Sequence, residues 1–311
     1  MTSRLSGAET PPVLFMVFNR TDVTSAVFER IREAKPPRLY VAGDGPRADR
    51  AEAEADLCDR TRHIATAVDW DCAISTLFQD DNLGCRAGVT SALDWFFTHE
   101  EAGIILEDDC LPEPTFFRFA GELLDRYADD QRVGMVSGDY FAGDTFEPAT
   151  SYSFSRNTHI WGWATWRRAW ALNSPDLFDW PQVRPTDWLE GIVGPGRALK
   201  HWRGLFDRMH AGEIDTWDYA WTYSLWRAGA LSAQATVNLV SNLGFGPEAT
   251  HTADSQAWQS RMSTEPMRFP LVHPSEVRPD ENRDAWTENY VFGIGRAGLR
   301  TRLGARLRGG R

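Results

Sequence analysis

The chain has 311 residues, 42% hydrophobic and 25% charged, with a formal net charge of -11. That apolar content is enough for a large core, and the acidic balance argues against a nucleic-acid binder, which usually needs a basic footprint. An acidic protein that holds an anionic ligand must recruit a divalent cation or concentrate a few arginines, so carboxylate clusters and well-placed arginines carry the functional reading.

The stretch Met1 to Pro12 is polar and lacks the apolar run of a secretory signal, and no later window approaches the 18 consecutive apolar residues of a membrane span. The expectation is a cytoplasmic protein. Cys58, Cys72, Cys85 and Cys110 have wide, unrelated spacings with no CxxC pair, which reads as free thiols and not a zinc site.

Val13 to Phe18 is a short continuous apolar run, suited to a strand buried on both faces, and it ends in Asn19-Arg20. Thr21 and Asp22 are N-cap candidates for a helix marked by Val23, Val27 and Ile31, which Pro36-Pro37 stops. Leu39 to Ala42 reads as a second strand running into Gly43-Asp44-Gly45-Pro46, a turn. A helix from Ala48, a strand over Ile74–Phe78, a helix from Arg86 to His99 and a strand over Gly103–Leu106 follow. Phe116 to Tyr127 reads as helix and Val133 to Ser137 as strand. Strands alternating with helices imply an α/β fold with a mainly parallel sheet, whose ligands gather at the carboxyl ends of the strands. The residues to watch are therefore Arg20, Asp44 and Glu107-Asp108-Asp109. Beyond Asp254 the chain is rich in Pro, Arg and Asp with little periodicity and reads as loop.

Three successive carboxylates after a buried strand repel one another unless a cation or hydrogen-bond donors compensate them. The arrangement suits Mn2+ or Mg2+, which take oxygen ligands from one or two carboxylates, phosphates and water. A solvated loop that precedes a helix is the alternative. The segment Gly103-Ile-Ile-Leu-Glu-Asp-Asp-Cys-Leu-Pro-Glu-Pro-Thr-Phe-Phe117 resembles the metal-binding region of GT-A nucleotide-diphospho-sugar transferases, in particular the Glu-Asp-Asp form found in the N-acetylglucosaminyltransferase I family. The chain as a whole also resembles the bacterial hemolytic-protein HlpA-like group of the same superfamily. The resemblance covers residues 11 to 252. It implies a Rossmann-like GT-A fold, with Asp109 as metal ligand, Asp108 near the ribose, Glu107 as the first acid of the triplet, Arg20 on the nucleotide and Asp44 on a uracil ring.

Other constellations are less specific. Asp81-Asn-Leu-Gly-Cys-Arg86 opens a helix, so its backbone N–H groups and Arg86 are placed to meet a phosphate. Inverting glycosyl transfer needs a carboxylate base for the acceptor hydroxyl. Asp218, in Thr216-Trp-Asp-Tyr-Ala-Trp221, resembles the Trp-Asp-Asp-Trp segment that carries it, although Tyr219 replaces the second aspartate. A helix N-cap is the competing role for Asp218, and Asp215 rivals it for both. His251 follows a Gly-rich loop, and the resemblance to GT-A enzymes implies an additional metal or diphosphate ligand there, with a structural hydrogen-bonding role as the alternative. His159 to Trp170 holds four tryptophans; aromatic faces stack on sugar rings, which makes Gly162-Trp163, with Trp217, a candidate acceptor platform, while Trp166 and Trp170 have the helical spacing of core residues.

From Ile294 to Arg311 there are six arginines and no acid, with Leu299, Leu303 and Leu307 four apart. This is the form of an interfacial amphipathic helix on an anionic membrane face, with a disordered solubilising tail as the alternative. The expected organisation is a flexible segment 1–10, a catalytic domain 11–252 with a nucleotide-binding half 11–140 and an acceptor half 141–252, a loop-rich extension 253–293 and a basic tail 294–311. The expected activity is transfer from a nucleotide-sugar donor, with UDP as nucleotide, to a glycan or lipid-linked acceptor, with no nucleic-acid partner. A sugar-phosphate nucleotidyltransferase and a non-catalytic carbohydrate- or membrane-binding protein are the alternatives. The first is disfavoured because Asn19-Arg20-Thr21-Asp22 stands where a Gly-rich loop is expected.

Overall fold

The computed structural model describes residues 10–245 and 258–294. The first half alternates β1 (Val13–Val17), α1 (Thr21–Ala34), β2 (Arg38–Gly43), α2 (Ala51–Ala65), β3 (Ala73–Phe78), α3 (Gly84–His99) and β4 (Ala102–Glu107). Next come β5 (Cys110–Pro112), α4 (Thr115–Arg126), β6 (Val133–Ser137), β7 (Tyr152–Ser155), β8 (Trp163–Trp166) and the short α5 (Arg167–Trp170), α6 (Trp180–Val183) and α7 (Trp188–Val193). The second half closes with α8 (Arg197–His210), α9 (Asp218–Ala228), β9 (Leu231–Ala235), β10 (Val240–Asn242) and α10 (Glu281–Tyr290).

Eight of these strands form one mixed, largely parallel sheet in the order β3-β2-β1-β4-β8-β6-β9-β7, while β5 and β10 pair apart from it. β1 lies parallel between β2 and β4, with Val13 opposite both Leu39 and Ile104. β8 runs antiparallel between β4 and β6, so β6 and its parallel neighbour β9 point the same way as β4. The carboxyl ends of β1, β2, β3, β4, β6 and β9 therefore share one edge, and the start of β8 returns to it.

The two-residue period of β1 explains why its run is wholly apolar. Val13, Phe15 and Val17 pack with Val27, Phe28 and Ile31 of α1 and with Phe119 and Leu123 of α4 on one face. Leu14 and Met16 pack with Leu93 and Phe96 of α3 and with the tryptophans of the second half on the other. A third cluster lies outside the sheet, where Trp180, Trp202, Phe206, Tyr223 and Trp226 join the α6–α9 region.

Two local expectations give way. α1 begins at Thr21, so Thr21 and Asp22 are its first helical residues and not caps; the cap position is Arg20, whose side chain makes no cap bond and whose carbonyl accepts from Thr24 Oγ1 at 2.6 Å. Asp22 still favours the positive end of the helix from its first turn. The segment expected to be loop beyond Asp254 carries α10, capped by Asp280, which accepts from the backbone N–H of Asn282 and Arg283. Its polar sequence hides it because a buried carboxylate, not an apolar stripe, docks it.

That carboxylate is Asp284, fully buried, which accepts from Ser155 Oγ, from Arg156 N and Nε at 3.2 and 3.1 Å, and from Asn157 Nδ2 at 3.3 Å. Asp284→Ala leaves these donors unpaired and is expected to cost roughly 3 kcal/mol. Denaturant unfolding checks it, and Asp284→Asn, which keeps an acceptor, is expected to lose less.

Candidate functional site

The acidic triplet sits at the carboxyl end of β4, next to the end of β1 in the sheet, so Arg20 arrives beside it from the loop that β1 feeds into. The Arg20 guanidinium grips both aspartates: Nη2 bonds Asp108 Oδ1 and, at 2.9 Å, Asp109 Oδ2, while Nε reaches Asp108 Oδ2 at 3.3 Å. Burial opposes the Arg20 charge, but Asp108 and Asp109 outweigh it and hold the guanidinium more firmly protonated than usual. Desolvation, then the charges of Asp109 and Asp108, push Glu107 up to about 8. Desolvation likewise raises Asp108, to about 6, although Arg20 pulls the other way. A single guanidinium thus compensates part of a three-carboxylate charge, and the upward shift of Glu107 reflects the part left uncompensated.

β10 closes over this group. Its partner strand β5 follows the triplet directly, Leu243 N donates to the Asp109 carbonyl at 2.8 Å, and the next residue is Gly244. A Cβ at Gly244 would lie 2.1 Å from Asp109 Oδ2 and 3.0 Å from Arg20 Nη1, so the backbone approaches the ion pair as only glycine allows.

Asp218 is the first residue of α9 and accepts from Thr216 Oγ1 at 2.5 Å; Trp217, not Asp218, holds the cap position. Cys85, at the start of α3, lies among Glu107, Asp218 and Asp215, and burial followed by these three charges pushes its thiol up to about 12. Asp218 also contributes to the rise of Glu107. Asp218 therefore lies within electrostatic range of Glu107. Asp215 turns instead to the start of α3, where its Oδ1 accepts from Arg86 N at 3.3 Å and its Oδ2 would lie 2.9 Å from a Cβ at Gly84, a residue with φ +80°.

Asp44 is engaged by its own chain. Its Oδ1 accepts from Gly45 N and Leu83 N at 2.9 and 2.8 Å, and its Oδ2 from Asn82 Nδ2 and Gly84 N at 2.9 and 3.2 Å. Four donors fill the lone pairs that a nucleobase would use, so the carboxylate fastens the loop before α3 to the end of β2. Asp44 and Asp215 together engage the amides at the start of α3 that the sequence suggested for a phosphate. Arg86 itself pairs with the exposed Asp176 at 3.2 Å.

The expected acceptor platform is corrected by burial. Trp163 is the first residue of β8, only 1% exposed, and stacks on the equally buried Trp217 with ring centroids 5.4 Å apart. Gly162 has φ +64° and faces Val240 and Leu106. Trp163, Trp217, Trp170 and Trp221 are core packing, and Trp166 is a strand residue and not part of a helix. The half-exposed ring at the sheet edge is Trp161, which packs edge-to-face on Phe141 at 4.9 Å. His251 and the basic tail from residue 295 lie outside the described residues.

Sequence reading missed a polar group at the end of β6. Ser137 Oγ donates to Asp139 Oδ1 at 2.7 Å and lies 2.5 Å from the His159 carbonyl, and Asp139 accepts from the backbone of Trp161. His159 Nδ1 stands 3.9 Å from Asp139 Oδ1, and both side chains are buried. The polar Ser-Gly-Asp following a strand was the available signal. Burial raises Asp139 to about 7 and lowers His159 to about 4. The raised aspartate costs stability as pH climbs from its unfolded value near 4 to 7, whereas the depressed histidine adds stability between about 4 and 6.5. The two offset each other over most of that window. Asp139→Asn removes only the first, so the melting temperature of the variant minus that of wild type is expected to rise from pH 4 to pH 7 and then level off, as thermal scans across that range will show.

Asp109 offers a hard carboxylate beside the guanidinium at the sheet edge. Among the described residues no three His, Cys, Asp or Glu side chains converge as a metal cluster. The donor set still fits Mn2+ or Mg2+, because such ions take one or two protein carboxylates and complete their shell with phosphate oxygens and water.

No family model matches the sequence, and no curated protein matches it. Among solved structures, the chain is similar to a UDP-glucose pyrophosphorylase complexed with UDP-glucose, at 9% identity and a TM-score of 0.37 over 72% of this chain and 90% of that one. It is also similar to the inositol-1-phosphate CTP transferase from T. maritima, at 7% identity and a TM-score of 0.35 over 73% and 85% of the two chains. A 4-diphosphocytidyl-2C-methyl-D-erythritol synthase from Anaerococcus prevotii matches at 8% identity and a TM-score of 0.30 over 73% and 89%. No helix among the described residues is long and apolar enough to cross a membrane.

Proposed function

We propose that the protein is a metal-dependent glycosyltransferase of the GT-A type that moves a sugar, with inversion, from a nucleoside diphosphate sugar to a glycan or lipid-linked hydroxyl. The observation that carries this reading is the meeting of Arg20, the triplet and Asp218 at the carboxyl ends of parallel strands. A guanidinium and four carboxylates around one edge, next to the sequence that resembles the Glu-Asp-Asp transferases, support a metal ligand and a separate base among them.

Asp109 would hold Mn2+ or Mg2+, which when bound offsets the charge developing on a diphosphate leaving group. Arg20 supplies a bidentate guanidinium for phosphate oxygens, and Asp108 holds that guanidinium in place. Glu107 is the first acid of the triplet, and burial with the charges of Asp109 and Asp108 makes its carboxyl harder to ionise than usual. In the transfer, Asp218 accepts the proton of the acceptor hydroxyl as its oxygen bonds to the anomeric carbon. The bond from that carbon to the diphosphate oxygen breaks, and the nucleoside diphosphate departs. Asp44 serves this site indirectly by fixing the loop of Asn82 to Gly84 and Arg86.

A nucleotide-sugar panel with Mn2+, read by release of free nucleoside diphosphate, tests the proposal. Turnover of a UDP-sugar with an acceptor supports it. Release of pyrophosphate from UTP and a sugar 1-phosphate would assign nucleotidyl transfer instead, and metal-independent glycan binding without turnover would assign a binding module.

A further inference from the structure

We propose that Arg20 is a tethered counter-ion that competes with the divalent cation for Asp109, so that nucleotide diphosphate and metal bind as a linked pair. The inference rests on the transferase reading above and concerns the regulation of that same site.

Three observations carry it. The guanidinium is not merely near Asp109: one nitrogen, Nη2, is shared between Asp108 Oδ1 and Asp109 Oδ2, with Nε on Asp108 Oδ2 as a second point of attachment. A cation at Asp109 Oδ2 would have to displace that bond and would face a like charge. Second, the pair is walled in. The carbonyl of Asp109 is fixed by Leu243 N, and the Gly244 backbone presses on both Asp109 Oδ2 and Arg20 Nη1 closely enough that a Cβ would collide with the carboxylate. Asp109 therefore has little freedom to turn away from Arg20, and it is the guanidinium that moves. Third, Arg20 sits at the cap position of α1 and its side chain makes no cap bond, so its side-chain hydrogen bonds are those to Asp108 and Asp109.

What draws the guanidinium off Asp109 is a better anion. Phosphate oxygens accept the planar fork of arginine in pairs, and Asp108 can keep hold of Nε while Nη2 turns to the diphosphate. Release of Asp109 Oδ2 then opens a carboxylate oxygen for the cation, which the same phosphates also ligate. Each ligand raises the affinity for the other by the same factor, as linkage requires.

The test is Mn2+ binding by the full chain, titrated as the metal alone and again with saturating UDP, in wild type, Arg20→Ala and Arg20→Lys. Wild type is expected to bind Mn2+ weakly alone and far more tightly with UDP. Arg20→Ala is expected to bind Mn2+ alone about ten-fold more tightly than wild type, and the coupling to UDP is expected to shrink about ten-fold. Lysine, with one point charge and no fork, is expected to fall between. A folded Arg20→Ala that binds Mn2+ alone no more tightly than wild type, or that keeps the wild-type coupling, overturns the proposal. If circular dichroism shows Arg20→Ala unfolded, equal Mn2+ affinity in Arg20→Lys and wild type overturns it. UDP-linked Mn2+ binding with no turnover of any nucleotide-sugar would sink the transferase reading and leave this inference standing. Turnover with Mn2+ binding indifferent to Arg20 would do the reverse.

Discussion

Asp109→Asn is expected to lower kcat for nucleoside diphosphate release by roughly 10³-fold, the equivalent of about 4 kcal/mol of transition-state stabilisation. The substitution removes one charge and preserves shape. Arg20 keeps its two-point hold on Asp108, and the carbonyl of residue 109 still accepts from Leu243 N. The fold therefore survives. Losing a carboxylate next to Glu107 and Asp108 also relieves a repulsion that helps to raise both, so the melting temperature is expected to hold or increase. The diagnostic pattern is a variant at least as stable as wild type whose UDP binding no longer responds to Mn2+. Calorimetry with and without the metal reads this directly. Undiminished Mn2+-dependent UDP binding in Asp109→Asn would remove the metal assignment from this residue.

The ladder of strands and helices was legible because it depends on local patterns. The five apolar residues of β1 are buried on both faces, and the turn residues after β1 and β2 mark where each ends. Strand-end placement then pointed to Arg20 and the triplet, which the sheet does bring together. What escaped the sequence depends on contacts between distant segments. The tryptophans from Trp163 onward look like a platform until β8 is seen inserted between β4 and β6. A strand in the middle of a sheet has no free edge, and both faces of β8 are packed, with Trp217 from α9 covering Trp163. Asp44 stood in the right place for a nucleobase, yet whether its oxygens were free depended on a loop 38 to 40 residues later in the chain. α10 was invisible because its anchor, Asp284, is a lone polar residue whose partners at residues 155–157 belong to another strand end. Asp139 and His159 were passed over for the same reason: each is ordinary alone, and only β6 and the loop before β8 make them neighbours.

Asp218→Asn is expected to lower kcat by roughly 10³-fold while leaving Mn2+-dependent UDP binding intact, because a positioned general base contributes on the order of 10² to 10⁴. The carboxylate starts α9 and is oriented by Thr216 Oγ1. An amide keeps that hydrogen bond but cannot take a proton. Asp215 provides the comparison within the same turn. Its carboxylate holds Arg86 N at the start of α3, so Asp215→Asn is expected to affect KM and thermal stability more than kcat. A reversed pattern, with kcat falling for Asp215→Asn and holding for Asp218→Asn, would exchange the two roles. The anomeric configuration of the product, followed by proton NMR during turnover, decides the remaining point. Inversion requires a base on the acceptor side and agrees with Asp218 as a proton acceptor. Retention would leave no need for that base, and Asp218 would have to act on the donor sugar instead.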